Sequence, residues 1–200
     1  MDLTTSSNTR LIQNQGLSET SHSTVLRTYE NALRFTLLHE GGINSDPRDP
    51  GNINGSVTAY GITQSTYDEW RRNLSQSKST KNVANISSGE VHELYFEEYF
   101  LPVRGDEVSP KLALVLFDTS VNLGPRKTIQ LLQASVNVKQ DGIFGSRTLR
   151  AVRSNKESSL LNSLIGRREI FYRELSRSPK YKPFLAGWLN RTAALRKAVQ

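Results

Sequence analysis

Glu40-Gly41-Gly42-Ile43-Asn44-Ser45-Asp46-Pro47-Arg48-Asp49-Pro50-Gly51-Asn52-Ile53-Asn54-Gly55-Ser56-Val57-Thr58-Ala59-Tyr60-Gly61-Ile62-Thr63 is the stretch from which the rest of the chain is read. Upstream of it, Leu26, Tyr29, Leu33, Thr36, Leu37 and Glu40 recur at helical spacing behind a cap candidate at Ser23-Thr24. Placed on that stripe, Glu40 is expected to be desolvated and to feel the negative end of the helix dipole. Both effects disfavour its charged form and push its pKa up. A carboxylic acid that keeps its proton near neutral pH is suited to general-acid work. Gly41 and Gly42 permit a left-handed helix end and leave side-chain bulk out of the place where a substrate approaches, so they are candidate binding positions.

Asp46 and Asp49 both precede proline, which fixes turn or extended geometry and aims their side chains; either is a candidate second carboxylate. Residues 57–62 have the composition of a short strand and predict a small hairpin carrying Thr58, with Tyr60 a candidate for stacking on sugar. Thr63 or Ser65 is expected to cap the next helix, with Asp68 closing a capping box to Ser65. A glutamate at a helix end or an Asp-Pro turn is ordinary by itself. A buried-face glutamate, clustered aspartates and a glycine-rich hairpin in one neighbourhood are the equipment for cleaving a sugar bond.

The stretch resembles the signature of glycoside hydrolase family 108, the bacterial and phage N-acetylmuramidases. That pattern runs Glu-Gly-Gly, then Asp-Pro, one residue, Asp-Pro-Gly-Gly, a Thr and Gly-Ile-Thr. The chain supplies Glu40-Gly41-Gly42, Asp46-Pro47, Asp49-Pro50-Gly51, Thr58 and Gly61-Ile62-Thr63. It departs at Asn52, where the second glycine is expected, and carries extra residues around 53–56. Residues 90–100, with Tyr95, Tyr99 and Phe100, resemble the tyrosine-rich helix closing the family's first module. Phe117-Asp118, Val121-Asn122, Gly124-Pro125, Leu132-Gln133, residues 141–145 and Thr148-Leu149 resemble its second, peptidoglycan-binding module. Phe184-Leu185, Gly187-Trp188-Leu189 and Arg191 resemble that module's closing motif.

The resemblance implies a mainly α, lysozyme-like fold with a small β-hairpin beside the groove, and Glu40 as catalytic acid. By analogy with phage-type lysozymes, Asp49 and Thr58 hold the hydrolytic water, with Asp46 as the rival to Asp49. The substrate so implied is the peptidoglycan glycan strand, cut between N-acetylmuramic acid and N-acetylglucosamine, with no metal or organic cofactor. A lytic transglycosylase of the same fold, a secreted antibacterial effector and a non-catalytic wall-binding scaffold are the alternatives.

Composition frames these expectations. Two hundred residues suit one ordinary domain or two small lobes. Zero cysteines exclude a disulfide framework and thiolate metal sites, and His22, His39 and His92 have no metal-ligand spacing. Residues 1–23 are rich in Ser, Thr, Asn and Gln and read as a flexible polar tail without the apolar core of a signal peptide. The expected life history is synthesis in the cytoplasm and action on the periplasmic wall after release by a holin or a secretion system, as in a phage endolysin. No nucleic-acid partner and no stable membrane insertion are expected, and the protein reads as a monomer.

Lys and Arg number 13 before residue 147 and 13 from there on, whereas acids number 16 and 3, so the last quarter holds a net +10 and the remainder −3. Such a field draws a protein toward anionic polymers, with Arg167, Arg168 and Arg173 a candidate wall-contacting cluster. The second half reads as helices over 112–123, 128–136, 146–153, 160–175 and 183–199. Phe117 and Val121 are expected in the core. Asp118 and Asn122, four apart, either line the groove or satisfy buried backbone, and Trp188 either stacks on sugar or is core. The division expected is a tail over 1–23, a catalytic module over 24–110 and a helical peptidoglycan-binding module over 111–200, packed together as one globular unit.

Overall fold

A computed structural model of the chain describes residues 19–40, 43–44, 58–75 and 81–200, the pair 43–44 by its backbone. Helix α1 is Glu19–Glu40. It begins ahead of Ser23-Thr24, so that pair lies inside the first turns and does not cap it. The buried stripe is Val25, Thr28, Tyr29, Ala32, Leu33 and Thr36, rotated slightly from the expected one, which leaves Leu26 and Leu37 half-buried. Tyr29 anchors the stripe by donating its hydroxyl proton to the His92 carbonyl at 2.5 Å and by meeting Phe96 edge-on at 4.9 Å.

A three-stranded antiparallel sheet follows in the order β1 (Ile43–Asn44), β2 (Thr58–Ala59), β3 (Ile62–Thr63). Its register sets Ile43 opposite Ala59, and Thr58 opposite Asn44 on one side and Thr63 on the other. Residues 58–62 form the expected hairpin, not one strand. The chain bends at Tyr60-Gly61, where φ is +53° and +75°. Two successive positive φ values define the two-residue hairpin turn whose twist matches the strands it joins.

Helix α2 (Gln64–Ser75) starts on Thr63, whose hydroxyl oxygen accepts the Thr66 N–H at 3.2 Å. The Ser65–Asp68 box does not form, because Gln64 Nε2 donates to Asp68 at 2.8 Å. The oxygen of Gln64 accepts the Val83 N–H at 2.8 Å, fastening a short 3₁₀ turn, Val83–Asn85, to the start of α2. Helix α3 (Ser88–Tyr95) carries a full capping box between Ser87 and Glu90. It runs on into a π-helical segment, Phe96–Phe100. The wider turn keeps Tyr95, Phe96 and Phe100 all buried.

Within that π segment the chain divides into two compact units, residues 1–98 and 99–200. The second consists of α4 (Pro110–Leu123), α5 (Pro125–Ser135), α6 (Ser146–Ser154), α7 (Glu157–Leu175) and α8 (Leu185–Ala198), the last preceded by a 3₁₀ turn, Lys182–Phe184. Ser109 caps α4 by accepting the Leu112 N–H, with Pro110 in the first turn where its missing N–H costs nothing. Gly124, at φ +80°, turns α4 directly into α5. Helix α7 packs on α4, α5 and α8 through Leu160, Leu161, Leu164 and Ile165. Phe117 is core as expected, whereas Val121 is half-buried. Among the described residues no helix is long and apolar enough to cross a membrane.

Candidate active site

Three elements of the first unit converge on Glu40. It is the last residue of α1, one turn beyond buried Thr36, and is itself half-buried. Opposite it lies the β2–β3 turn. A Cβ placed on Gly61 would stand 2.5 Å from Glu40 Oε2, 3.1 Å from its Cδ and 3.2 Å from the Tyr95 hydroxyl oxygen. The carboxyl can occupy this position only because residue 61 has no side chain, and the positive φ there demands glycine as well. Tyr95, at the end of α3, holds the turn in place by donating to the Tyr60 carbonyl at 2.5 Å. Thr58 is a buried residue of β2, and Tyr60, the first residue of the turn, is 40% exposed. The arrangement can present one carboxyl group, held by a helix end and a tight turn, to a ligand. Gly41, Gly42, Asp46 and Asp49 lie outside the described residues.

Other acids of this unit have different roles. Burial alone pushes Glu90 up, but the Lys81 ammonium at 2.7 Å, the Tyr67 hydroxyl at 2.6 Å and the Ser87 N–H and hydroxyl outweigh it and bring its pKa to about 2. Glu90 is thus a fixed anion that ties α2, through Tyr67, and Lys81 to the start of α3. Glu97 is pushed up by burial, against the pull of the Trp70 indole N–H it accepts at 2.6 Å.

In the second unit the candidates separate. Asp118 is fully buried. Its Oδ2 accepts from Arg168 Nη1 at 2.6 Å, and its Oδ1 from Arg191 Nη2 and Nε at 2.7 and 2.9 Å. Burial raises its pKa, but the two guanidinium groups overcome this and hold the carboxyl below its ordinary range. Asp118 is a carboxylate with no exposed surface, satisfied by two arginines, and it fixes α4 to α7 and α8. Arg168 is equally buried, so the expected cluster of Arg167, Arg168 and Arg173 is not a surface cluster. Asn122 belongs to the same network. With its amide oxygen toward Arg191 it accepts at 3.0 and 3.1 Å and donates to the Tyr172 hydroxyl at 3.2 Å. Trp188 is half-buried, stacked on Tyr172 at 4.9 Å and 21°.

Gly61 and Tyr95 are the site residues that the sequence reading did not single out. Gly61 carried a signal, since a Tyr-Gly pair between β-prone residues marks a two-residue turn. Tyr95 was visible only as one of several aromatics in a helix.

Residues 33–124 match the family model described as Glycosyl hydrolase 108, and residues 127–193 match the one described as Predicted Peptidoglycan domain. Over residues 33–124 the chain is similar to the glycoside hydrolases of family 108. A solved structure described as Structure of Brucella abortus SagA is similar to it, 29% identical, with a TM-score of 0.74 over 86% of this chain and 93% of that one. The fold is mainly α and lysozyme-like, and the two matched regions make the enzyme one that acts on peptidoglycan. No curated protein matches the chain. The first matched region runs past the boundary between the compact units and includes α4, so Glu40 and Asp118 fall in one family region.

Proposed function

We propose that the chain is an N-acetylmuramidase, hydrolysing the bond between N-acetylmuramic acid and N-acetylglucosamine, and that it serves as a phage endolysin. The catalytic reading rests on the placement of Glu40, a half-buried helix-end carboxyl whose oxygen occupies the space left by Gly61. In this reading Glu40 protonates the leaving-group oxygen as the glycosidic bond breaks. Asp49, or else Asp46, positions or deprotonates the attacking water, and Thr58 helps hold it. Gly41 and Gly42 leave room for the sugar, and Tyr60 offers its ring. A second carboxylate acting as base would stand about 6.5–9.5 Å from Glu40, and the anomeric configuration would invert. Two carboxyl groups suffice for this chemistry, and the protein works as a monomer. It is made in the cytoplasm and reaches the wall after release by a holin or a secretion system. A holin gene beside it is the expected neighbourhood, whereas an immunity gene would mark an antibacterial effector.

Mass spectrometry of digested, purified peptidoglycan tests the reaction. Reducing N-acetylmuramic acid ends that incorporate solvent water are the expected product. Anhydro-muramic ends would make the protein a lytic transglycosylase, and intact strands a scaffold. The same digest ranks the aspartates. Asp49→Asn should abolish product while retaining binding, because the amide keeps the shape but cannot take the proton. Asp46→Asn should lose activity and thermal stability in part and together, as a turn-forming aspartate does. The opposite pattern would exchange their roles.

A further inference from the structure

Residues 136–156 carry five cations and one acid, Asp141. They comprise the turn after α5, the loop that follows it and the whole of α6. Thr148, Leu149 and Val152 form the buried face of that helix, whereas Arg147, Arg150 and Arg153 are exposed. Among the described residues none of the three arginines is in an ion pair.

The loop ahead of the helix is held from inside. Gln133, buried on α5, donates from Nε2 to Asp141 Oδ1 at 2.7 Å and to the Ile143 carbonyl at 3.0 Å, while its oxygen accepts the Gly142 N–H at 2.9 Å. Asp141 Oδ1 also accepts the Ile143 N–H at 2.9 Å, so the one acid of the segment is turned onto the loop's own donors. Phe144 then turns inward, and Arg104 Nη1 donates to its carbonyl at 3.1 Å. Ile143 is left 66% exposed. A single apolar side chain on a surface is ordinary. This one stands on backbone fixed from both sides, so it cannot fold back onto the core. It also stands among cations, with exposed Lys139 before it and the row of arginines after it.

We propose that Ile143, with Lys139, Arg147, Arg150 and Arg153, forms a peripheral docking surface for an anionic lipid bilayer. Charge alone would suit any anionic polymer, because arginines meet phosphates and carboxylates alike. The isoleucine separates the two. An apolar side chain gains free energy by leaving water, and a bilayer offers it the boundary between headgroups and acyl chains while the arginines stay among the lipid phosphates. A hydrated glycan offers no such interior. Attachment is at the surface, since no helix among the described residues is long and apolar enough to cross a membrane. The surface is independent of the Glu40 chemistry and gives the chain a second partner beside its polymer.

Co-sedimentation of the full chain with lipid vesicles tests the proposal. Vesicles of equal parts phosphatidylglycerol and phosphatidylcholine should bind the protein, less tightly as salt rises, and vesicles of phosphatidylcholine alone should not. Ile143→Ser should weaken binding to the anionic vesicles roughly tenfold at an unchanged melting temperature. The same substitution in a Glu40→Gln chain, which leaves the polymer uncut, should bind purified peptidoglycan as well as Glu40→Gln alone. Ile143→Trp should bind the anionic vesicles as tightly as wild type, because an indole ring favours the headgroup level. Replacing Arg147, Arg150 and Arg153 together with glutamine should weaken vesicle binding about a hundredfold, at roughly fivefold for each charge near the surface. Failure to bind the anionic vesicles, or wild-type vesicle affinity in Ile143→Ser, overturns the proposal. Loss of peptidoglycan binding in Ile143→Ser overturns it too, since Ile143 would then be a wall contact.

Discussion

Gly61 is where a single methyl group would displace the Glu40 carboxyl. Alanine there would put its Cβ 2.5 Å from Glu40 Oε2 and hold a side-chain-bearing residue at φ +75°, a left-handed conformation that costs such a residue about 1–2 kcal/mol. Gly61→Ala should therefore lose most turnover and melt several degrees lower, read by reducing-end release and a thermal scan. Wild-type turnover would show that the Glu40 position seen here is not the working one. Glu40 itself was legible in the sequence because it continues a helical period into a glycine pair. The Gly61 contact was not, since it depends on the register that pairs Thr58 with Thr63, which composition does not specify. Asp118 shows the same limit. The sequence placed it on one helix face with Asn122, but the arginines that bury it lie 50 and 73 residues further along the chain. No local pattern announces them.

At the scale of elements, the start of α3 carries a pH-dependent tie. The Glu90 pKa falls from 4.5 to about 2, so its contribution to stability is complete above the unfolded value and is lost as pH falls toward the folded one. Glu90→Gln should be less stable than wild type at pH 7, and the gap should close between about pH 4.5 and 2, measured by urea unfolding at a series of pH values. A gap that stays constant through that window would mean that the charge of Glu90 does not hold the tie. The second-half helices were legible to within a few residues because apolar periodicity and the proline and glycine punctuation agree there. Boundaries failed where two caps competed. Ser65 and Asp68 carry capping spacing, but Thr63 takes the cap and Gln64 takes Asp68. The π segment was not legible at all, because residues 90–100 read as a single helix and the wider turn follows from burying Tyr95, Phe96 and Phe100 together.

At the scale of the whole molecule, charge is divided as unevenly as chemistry. The basic last quarter puts Arg147, Arg150 and Arg153 at three-residue spacing on the exposed face of α6, whereas Arg168 is an internal structural cation. Exposed charges act over roughly 8–10 Å in physiological salt. Reversing those three arginines to glutamate should weaken pull-down on purified peptidoglycan and flatten its salt dependence, with the fold intact by circular dichroism. An unchanged salt profile would leave the stripe as a solvated face. Whether this lysozyme-like chain cuts peptidoglycan through the Glu40 carboxyl is decided by reducing-end release from purified peptidoglycan by Glu40→Gln beside the wild-type chain. The expected result is a fall of roughly 10²–10⁴-fold, the range that loss of a general acid brings, with an unchanged melting temperature. Wild-type release by a folded Glu40→Gln protein would contradict it.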